Sequence, residues 1–328
     1  MNKKDDFSLD RMRRAAVIAA VAVPCGVMVP IAARAQSANR RVLCHAGPGS
    51  TPDVIARSYA SRLSAIVENR AGASGLLAVA ALLQAQPDGN TMLLGHAELL
   101  TLYPFLFSRL PYDAAHDLVP VSLAAETTLA FAVGPAVPAS VLTLRDYVEW
   151  ARAHPQRAIY GSPGVGTVPH VLSAAFAKDA KFEALHVPYA GGPPAVVDLV
   201  AGRVASLLLP DGLLRPMREA GKLRLLATTG LERSAATPGV PTVTEEGYPR
   251  LAMRAWFGFF MPRGTAATTV EAAASAIGAA ASDAGLVAAL GEAGLQPLAS
   301  GPREVWERIA RDRRAWADTI ATTGIRLD

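Results

Sequence analysis

The stretch "GPGSTPDVIA", residues 47–56, has a second copy, "GVGTVPHVLS", at residues 164–173. Both read G-x-G-[Ser/Thr]-x-Pro and then run into an apolar helical start. A strand pattern precedes each: Arg41–His45 before the first, Ala158–Tyr160 before the second. Proline suits a first helical turn, where its missing N–H would have no intrahelical partner. Ser50 or Thr51 in the first copy, and Thr167 in the second, are placed to cap the helices that follow. Such a helix start exposes backbone N–H groups and carries partial positive charge, so it favours an anion. If the two copies belong to facing lobes, both helix starts point into one cleft at the carboxyl ends of their strands. Asp53 and His170 occupy equivalent places after the prolines. Asp53 either complements the helix dipole or receives the ammonium of an amino-acid ligand; His170 is either a cation facing an anion or a satisfied interior histidine.

Outward from these turns the pattern alternates strand and helix. In the first half a helix is expected over Pro52–Ser64, a strand over Ala65–Glu68, a helix over Ala73–Gln84 and a strand over Thr91–Leu94. The second half continues with helix Leu144–Ala153, helix Pro169–Lys178, strand Ala184–Val187, helix Ala195–Ala201, and strands Val204–Leu209 and Lys222–Ala227. This predicts an α/β protein, each lobe a mainly parallel sheet flanked by helices. An Ala-rich helical run from Val270 to Leu290 and a helix over Arg303–Thr322 close the chain. Trp306, Ile309, Trp316 and Ile320 mark the buried face of the latter.

The chain has 328 residues and a formal net charge of +4. Lys3, Lys4, Arg11, Arg13 and Arg14 precede an apolar stretch that ends in Ala33, Arg34 and Ala35, a secretory cleavage pattern before Gln36. Residues 1–35 therefore read as a signal peptide for the periplasm, and Arg13-Arg14 hints at the twin-arginine route. Its removal takes away six basic and three acidic residues and brings the net charge to +1. No basic stripe with interleaved aromatics remains, which argues against nucleic-acid binding. Cys44 is then the single cysteine, without a disulfide partner in the same chain, and reads as a buried thiol.

Other chemistry is sparse. There is no G-x-S-x-G elbow. The histidines show no H-x-x-x-H or H-E-x-x-H spacing, so neither metal nor cofactor is expected. The alternative is an NAD-binding oxidoreductase, because "GPGSTP" begins like a dinucleotide fingerprint and Glu68 ends the next strand, where a ribose-binding acid would sit. Against it, Pro52 and Pro169 stand where the third glycine belongs.

The longer motifs resemble the extracytoplasmic solute receptors of tripartite tricarboxylate transporters, the Bug or TctC-like proteins. "PGSTPDVIAR" (48–57) is similar to P-G-G-x-x-D-x-x-A-R. "VENRAGASG" (67–75) and "QPDGNTMLLG" (86–95) resemble V-E-N-R-P-G-A-x-G and P-D-G-Y-T-L-L-x-G. "YGSPGVGTVPH" (160–170), "HVPYAGGPPAVVDLVAGRV" (186–204) and "WFGFFMPRGT" (256–265) follow in the family's order. The resemblance implies a two-lobed periplasmic-binding-protein (Venus-flytrap) fold with no catalysis of its own, monomeric, passing a small carboxylate to the membrane subunits of a transporter. It implies lobe 1 over 36–130 plus 251–328 and lobe 2 over 131–250, with the ligand cleft between them. Its ligand contacts carry over to the turns at Gly49, Ser50 and Thr51 and at Gly164, Gly166, Thr167 and Val168. Asp53 and His170 lie beside these turns, while the loop Gly95–Glu98 (with His96) and Asp211 would line the mouth. Three features depart from the family. Ser50 replaces a glycine, Asn90 replaces the common tyrosine, and the helix after Arg57 is shorter by roughly two turns, which would reshape or destabilise lobe 1.

Overall fold

The computed structural model describes residues 40–234 and 237–327, so the expected signal peptide, residues 1–35, lies outside the described residues. These described residues form one compact unit. In chain order it contains β1 (Arg41–Cys44), α1 (Thr51–Ala60), β2 (Ile66–Asn69), α2 (Leu76–Leu83), β3 (Thr91–His96), α3 (Glu98–Thr101), α4 (Tyr103–Leu106), β4 (Leu118–Thr127) and β5 (Leu129–Val133). Then come α5 (Leu144–Ala153), β6 (Ile159–Ser162), α6 (Val168–Asp179), β7 (Leu185–Pro188), α7 (Gly192–Val200), β8 (Ser206–Pro210), α8 (Asp211–Glu219) and β9 (Arg224–Thr228). The chain ends with β10 (Ala255–Pro262), α9 (Ala267–Ala281), α10 (Ala284–Glu292), β11 (Gln296–Pro297) and α11 (Pro302–Thr323).

Two sheets result. The first has the order β11-β4-β10-β3-β1-β2 and the second the order β7-β6-β8-β5-β9. Only Thr128 separates β4 of the first sheet from β5 of the second, and the chain returns between β9 and β10. The expectation of mainly parallel sheets holds for β1–β2, β1–β3, β6–β7 and β6–β8. The strands that carry the chain between sheets depart from it: β10 runs antiparallel to β3 and β4, and β5 antiparallel to β8 and β9. Each of these strands enters from the other sheet, so no helical crossover turns it parallel to its neighbours. Both sheets are therefore mixed.

Strand alternation builds the layers. In β1, Val42 and Cys44 face one core with Ile55, Tyr59, Ile277 and Leu290, while Leu43 faces another with Val79, Leu82 and Phe260. In β5, Phe131 and Val133 point to that second core, and Ala130 and Ala132 to a third with Leu199, Leu207 and Leu214. The second core runs without interruption from one sheet to the other, where Ile309, Trp316 and Ile320 of α11 seal it. That face of α11 matches the sequence pattern, although Trp306 is only partly buried. Cys44 is buried and unpaired, and burial pushes its thiol up to about 11, as expected of an inert core thiol. The Ala-rich run is not one helix. It bends by 72° between α9 and α10, where Asp283 caps α10 by accepting the Leu286 N–H at 2.9 Å. Among the described residues no single helix is long and apolar enough to cross a membrane.

Helix α1 has ten residues and ends three residues after Arg57. Its end is well made. Ser64 takes a left-handed φ of 51°, and the Ala65 N–H reaches back to the Ala60 carbonyl at 2.9 Å, the bond of a Schellman cap. Arg62, in the same turn, donates from Nε and Nη2 to Asp283 at 2.9 and 2.7 Å, tying the short helix to the start of α10. A left-handed serine costs roughly 1 kcal/mol relative to glycine. Ser64→Gly is therefore expected to stabilise the protein by about 0.5–1 kcal/mol, read as a higher denaturant midpoint; a lower midpoint would contradict this cap.

Candidate functional site

The two repeated turns are built alike, bond for bond. Gly49 and Gly166 have φ of +75° and +78°, a conformation that excludes ordinary side chains. The Gly49 N–H donates to Asp53 Oδ2 at 3.0 Å, and the Gly166 N–H to His170 Nδ1 at 3.1 Å. Ser50 Oγ donates to the Gly47 carbonyl at 2.6 Å, and Thr167 Oγ1 to the Gly164 carbonyl at 2.8 Å. Ser50 and Thr167 hold the N-cap positions, but neither hydroxyl caps its own helix. The expected side-chain caps are thus corrected: the hydroxyls close the loop behind them, which leaves the first helical amides facing outward.

Asp53 is fully engaged. Besides Gly49, it accepts from Arg57 Nε at 2.9 Å and from Asn69 Nδ2 at 2.8 Å. Burial opposes its charge, but the bonds from Arg57, Asn69 and Gly49 prevail and hold its carboxyl below the usual range. Of its two sequence readings, this geometry favours the structural one and leaves no room for a ligand ammonium. His170 stacks on His186 at 3.9 Å between ring centroids, and burial lowers its pKa to about 4. It is neutral near pH 7 and accepts through Nδ1, so it is a satisfied histidine rather than a cation.

Both turns open on one cavity of about 490 Å³. It lies at the carboxyl ends of β1, β2 and β3 on one side and of β6, β7 and β8 on the other. Of the twelve candidates, Ser50, Thr51, His96, Gly164, Thr167 and Val168 line it. Gly49, Asp53, Gly166 and His170 stand behind the lining and shape it. Two of the twelve candidates are elsewhere. Gly95 lies within β3 against β10, where a Cβ would press on Leu99 and Phe260. Asp211 lines a separate pocket of about 280 Å³ with Arg215, Arg233 and Arg254, because it opens α8 on the far side of Pro210. Burial raises its pKa. Glu68, the acid of the dinucleotide alternative, is also outside the cavity and pairs with Arg41 and Arg70 on the edge strand β2.

The lining also holds residues that sequence patterns did not mark as site residues. His45 Nδ1 lies 2.9 Å from the Leu94 carbonyl, which fixes the proton there and leaves Nε2 as an acceptor. Burial, then His96, push its pKa down to about 3. Glu98 was expected at the mouth but does more. It is buried, its Oε2 lies 2.9 Å from His96 Nδ1, and its Oε1 accepts the N–H of Val168 at 3.0 Å. Burial opposes ionisation, yet His96 and the Val168 amide hold its pKa down to about 2. A carboxylate from the α3 side thus occupies the first amide of α6. Nearby, Ser74 Oγ donates to the Val165 carbonyl at 2.7 Å, a second polar link across the cavity.

Residues 54–325 match the model of the tripartite tricarboxylate transporter family receptor. The chain belongs to that family. A Pseudomonas sp. protein described as the UPF0065 protein in the tcbD-tcbE intergenic region is 34% identical over 280 residues, covering 83% of this chain and 82% of its own. Among solved structures, Rpa4515 of R. palustris, with adipate, is 27% identical with a TM-score of 0.83, covering 88% of this chain and 98% of its own. MatC from Rhodopseudomonas palustris, with bound malate, is 25% identical with a TM-score of 0.78, covering 86% and 98%. The fold is that of the two-lobed periplasmic binding proteins, and the family is one of solute receptors rather than of known enzymes.

The Asp53 network has a pH signature. Its native pKa lies below the ordinary 3.8, so its contribution is fully present above about pH 4 and is lost as pH falls through the native value. Asp53→Asn is expected to cost about 1–3 kcal/mol at pH 7. Urea unfolding should show the gap to wild type narrowing below pH 4, and a gap that widens there would contradict the assignment.

Proposed function

We propose that this chain is a periplasmic receptor that captures a small carboxylate between two lobes and hands it to the membrane subunits of a tripartite transporter, acting by binding and not by catalysis. One observation carries the reading. Thr51, at the start of α1, lines the cavity, and neither its amide nor its hydroxyl has a partner among the described residues. They form an open anion-binding turn, on a fold shared with relatives solved with adipate and malate. His45 Nε2 supplies an acceptor beside it for a ligand hydroxyl or for ordered water. Charge-assisted bonds of this kind contribute roughly 1.5–3 kcal/mol each.

In this reading residues 36–130 plus 251–328 form lobe 1 and residues 131–250 form lobe 2. The passage of the chain between sheets at Thr128 and again between β9 and β10 supports that division. Residues 1–35 direct export and are removed ahead of Gln36, and the mature chain works as a monomer without cofactor.

Thr51→Pro removes the amide donor and the hydroxyl while keeping a helical φ. Ser50, at φ −76° and ψ 161°, already has the backbone that precedes a proline. Calorimetry on the exported protein, beginning at Gln36, should show a small carboxylate binding and an affinity at least about tenfold weaker in Thr51→Pro. Equal affinity in a folded variant would remove this turn from the site.

A further inference from the structure

The two turns are equivalent in backbone but not in occupancy. The first amide of α1, at Thr51 in the cavity lining, has no acceptor among the described residues, whereas the first amide of α6, at Val168, already donates to Glu98 Oε1 at 3.0 Å. Glu98 is 7% exposed and lines the same cavity, with His96 Nδ1 at 2.9 Å from its other oxygen. We infer that Glu98 is an internal carboxylate that fills the second anion position and makes this a receptor for monocarboxylates with an apolar body.

This rests on the carboxylate-receptor reading and narrows it. A dicarboxylate held at Thr51 would bring its second carboxylate toward Glu98, a like charge whose own amide donor is spoken for. The lining also carries apolar side chains: Leu129, Val165, Leu209, Leu213, Trp256 and Phe257. Such side chains accept a hydrocarbon or aromatic body, and the polar groups that share the lining, Ser74 and the first amide of α7 at Gly192, carry no positive charge to pair with a second carboxylate. His45 does not offset this, because its Nδ1 proton is committed to the Leu94 carbonyl and its Nε2 is an acceptor. His96 is turned to Glu98 and to the Ser74 carbonyl, 3.2 Å from its Nε2.

The test uses acids matched in length: hexanoate against adipate, butanoate against succinate, benzoate against terephthalate. Affinities are measured by calorimetry at pH 7 on the mature wild type, Glu98→Gln and Glu98→Ala, with thermal melts to establish folding. The wild type is expected to prefer the monoacid of at least one pair by about tenfold or more. Glu98→Ala, which frees the Val168 amide, should reduce or reverse that ratio, and Glu98→Gln should move it the same way by removing charge alone. A wild type that binds the diacids as well as or better than the monoacids overturns the inference and leaves the carboxylate reading standing. So does a monoacid preference unchanged in whichever Glu98 variant folds. Failure of all six acids to bind any of the folded proteins would overturn both.

Discussion

A left-handed glycine whose amide is held by the side chain four residues further on fixes the entry into α1 and again into α6. The remaining site geometry follows from that constraint. With the glycine amide committed, the helix begins at once. With proline next to the first helical residue, one of the amides that lack an intrahelical partner is absent. The hydroxyls of Ser50 and Thr167, turned back to the glycine carbonyls, leave the first amide of each helix pointing away from its own loop. The chain uses two different acceptors, a carboxylate in Asp53 and a neutral imidazole in His170, for the same task. What the backbone requires there is a lone pair at the right distance and not a particular charge.

The two turns face each other because the chain passes between the sheets over a single residue, Thr128, and because one core continues beneath both. That core, sealed by α11, sets the separation of the cavity walls. Across the gap Glu98 meets Val168 and Ser74 meets the Val165 carbonyl. Gly164 permits this approach, since a Cβ there would come within 2.9 Å of Ser74 Oγ. The polar links across the cavity therefore depend on the same glycine-rich turn that presents the amide of α6.

Much of this was legible in the sequence, for a physical reason. Proline and glycine restrict the backbone strongly, so the repeated turns announced themselves, as did the alternation of short strands with helices around them. The strands β4 and β10 carry no strand signal in the sequence. "LVPVSLAAET" and "AWFGFFMP" are buried on both faces and carry no alternation to read, and each contains a proline that argues against a strand. β5, beginning one residue after β4, was masked by the same run. The Ala-rich segment read as a single helix because the break at Asp283 is a capping bond and not a proline. Asp211 was misplaced because a position after a strand does not specify toward which sheet face the next helix turns. Glu98 was legible only as a loop residue. Its bond to Val168 joins positions 70 apart, and no local pattern encodes such a contact.

The central claim is that the anion-binding turn at Thr51 is open to ligand while the one at Val168 is closed by Glu98. A crystal structure of the mature protein with a bound carboxylate tests it most directly. The account predicts a ligand carboxylate oxygen within hydrogen-bond distance of the Thr51 amide, the ligand body against Trp256 and Leu213, and Glu98 still on the Val168 amide. A ligand carboxylate on Val168, with Glu98 displaced from the cavity, would contradict it.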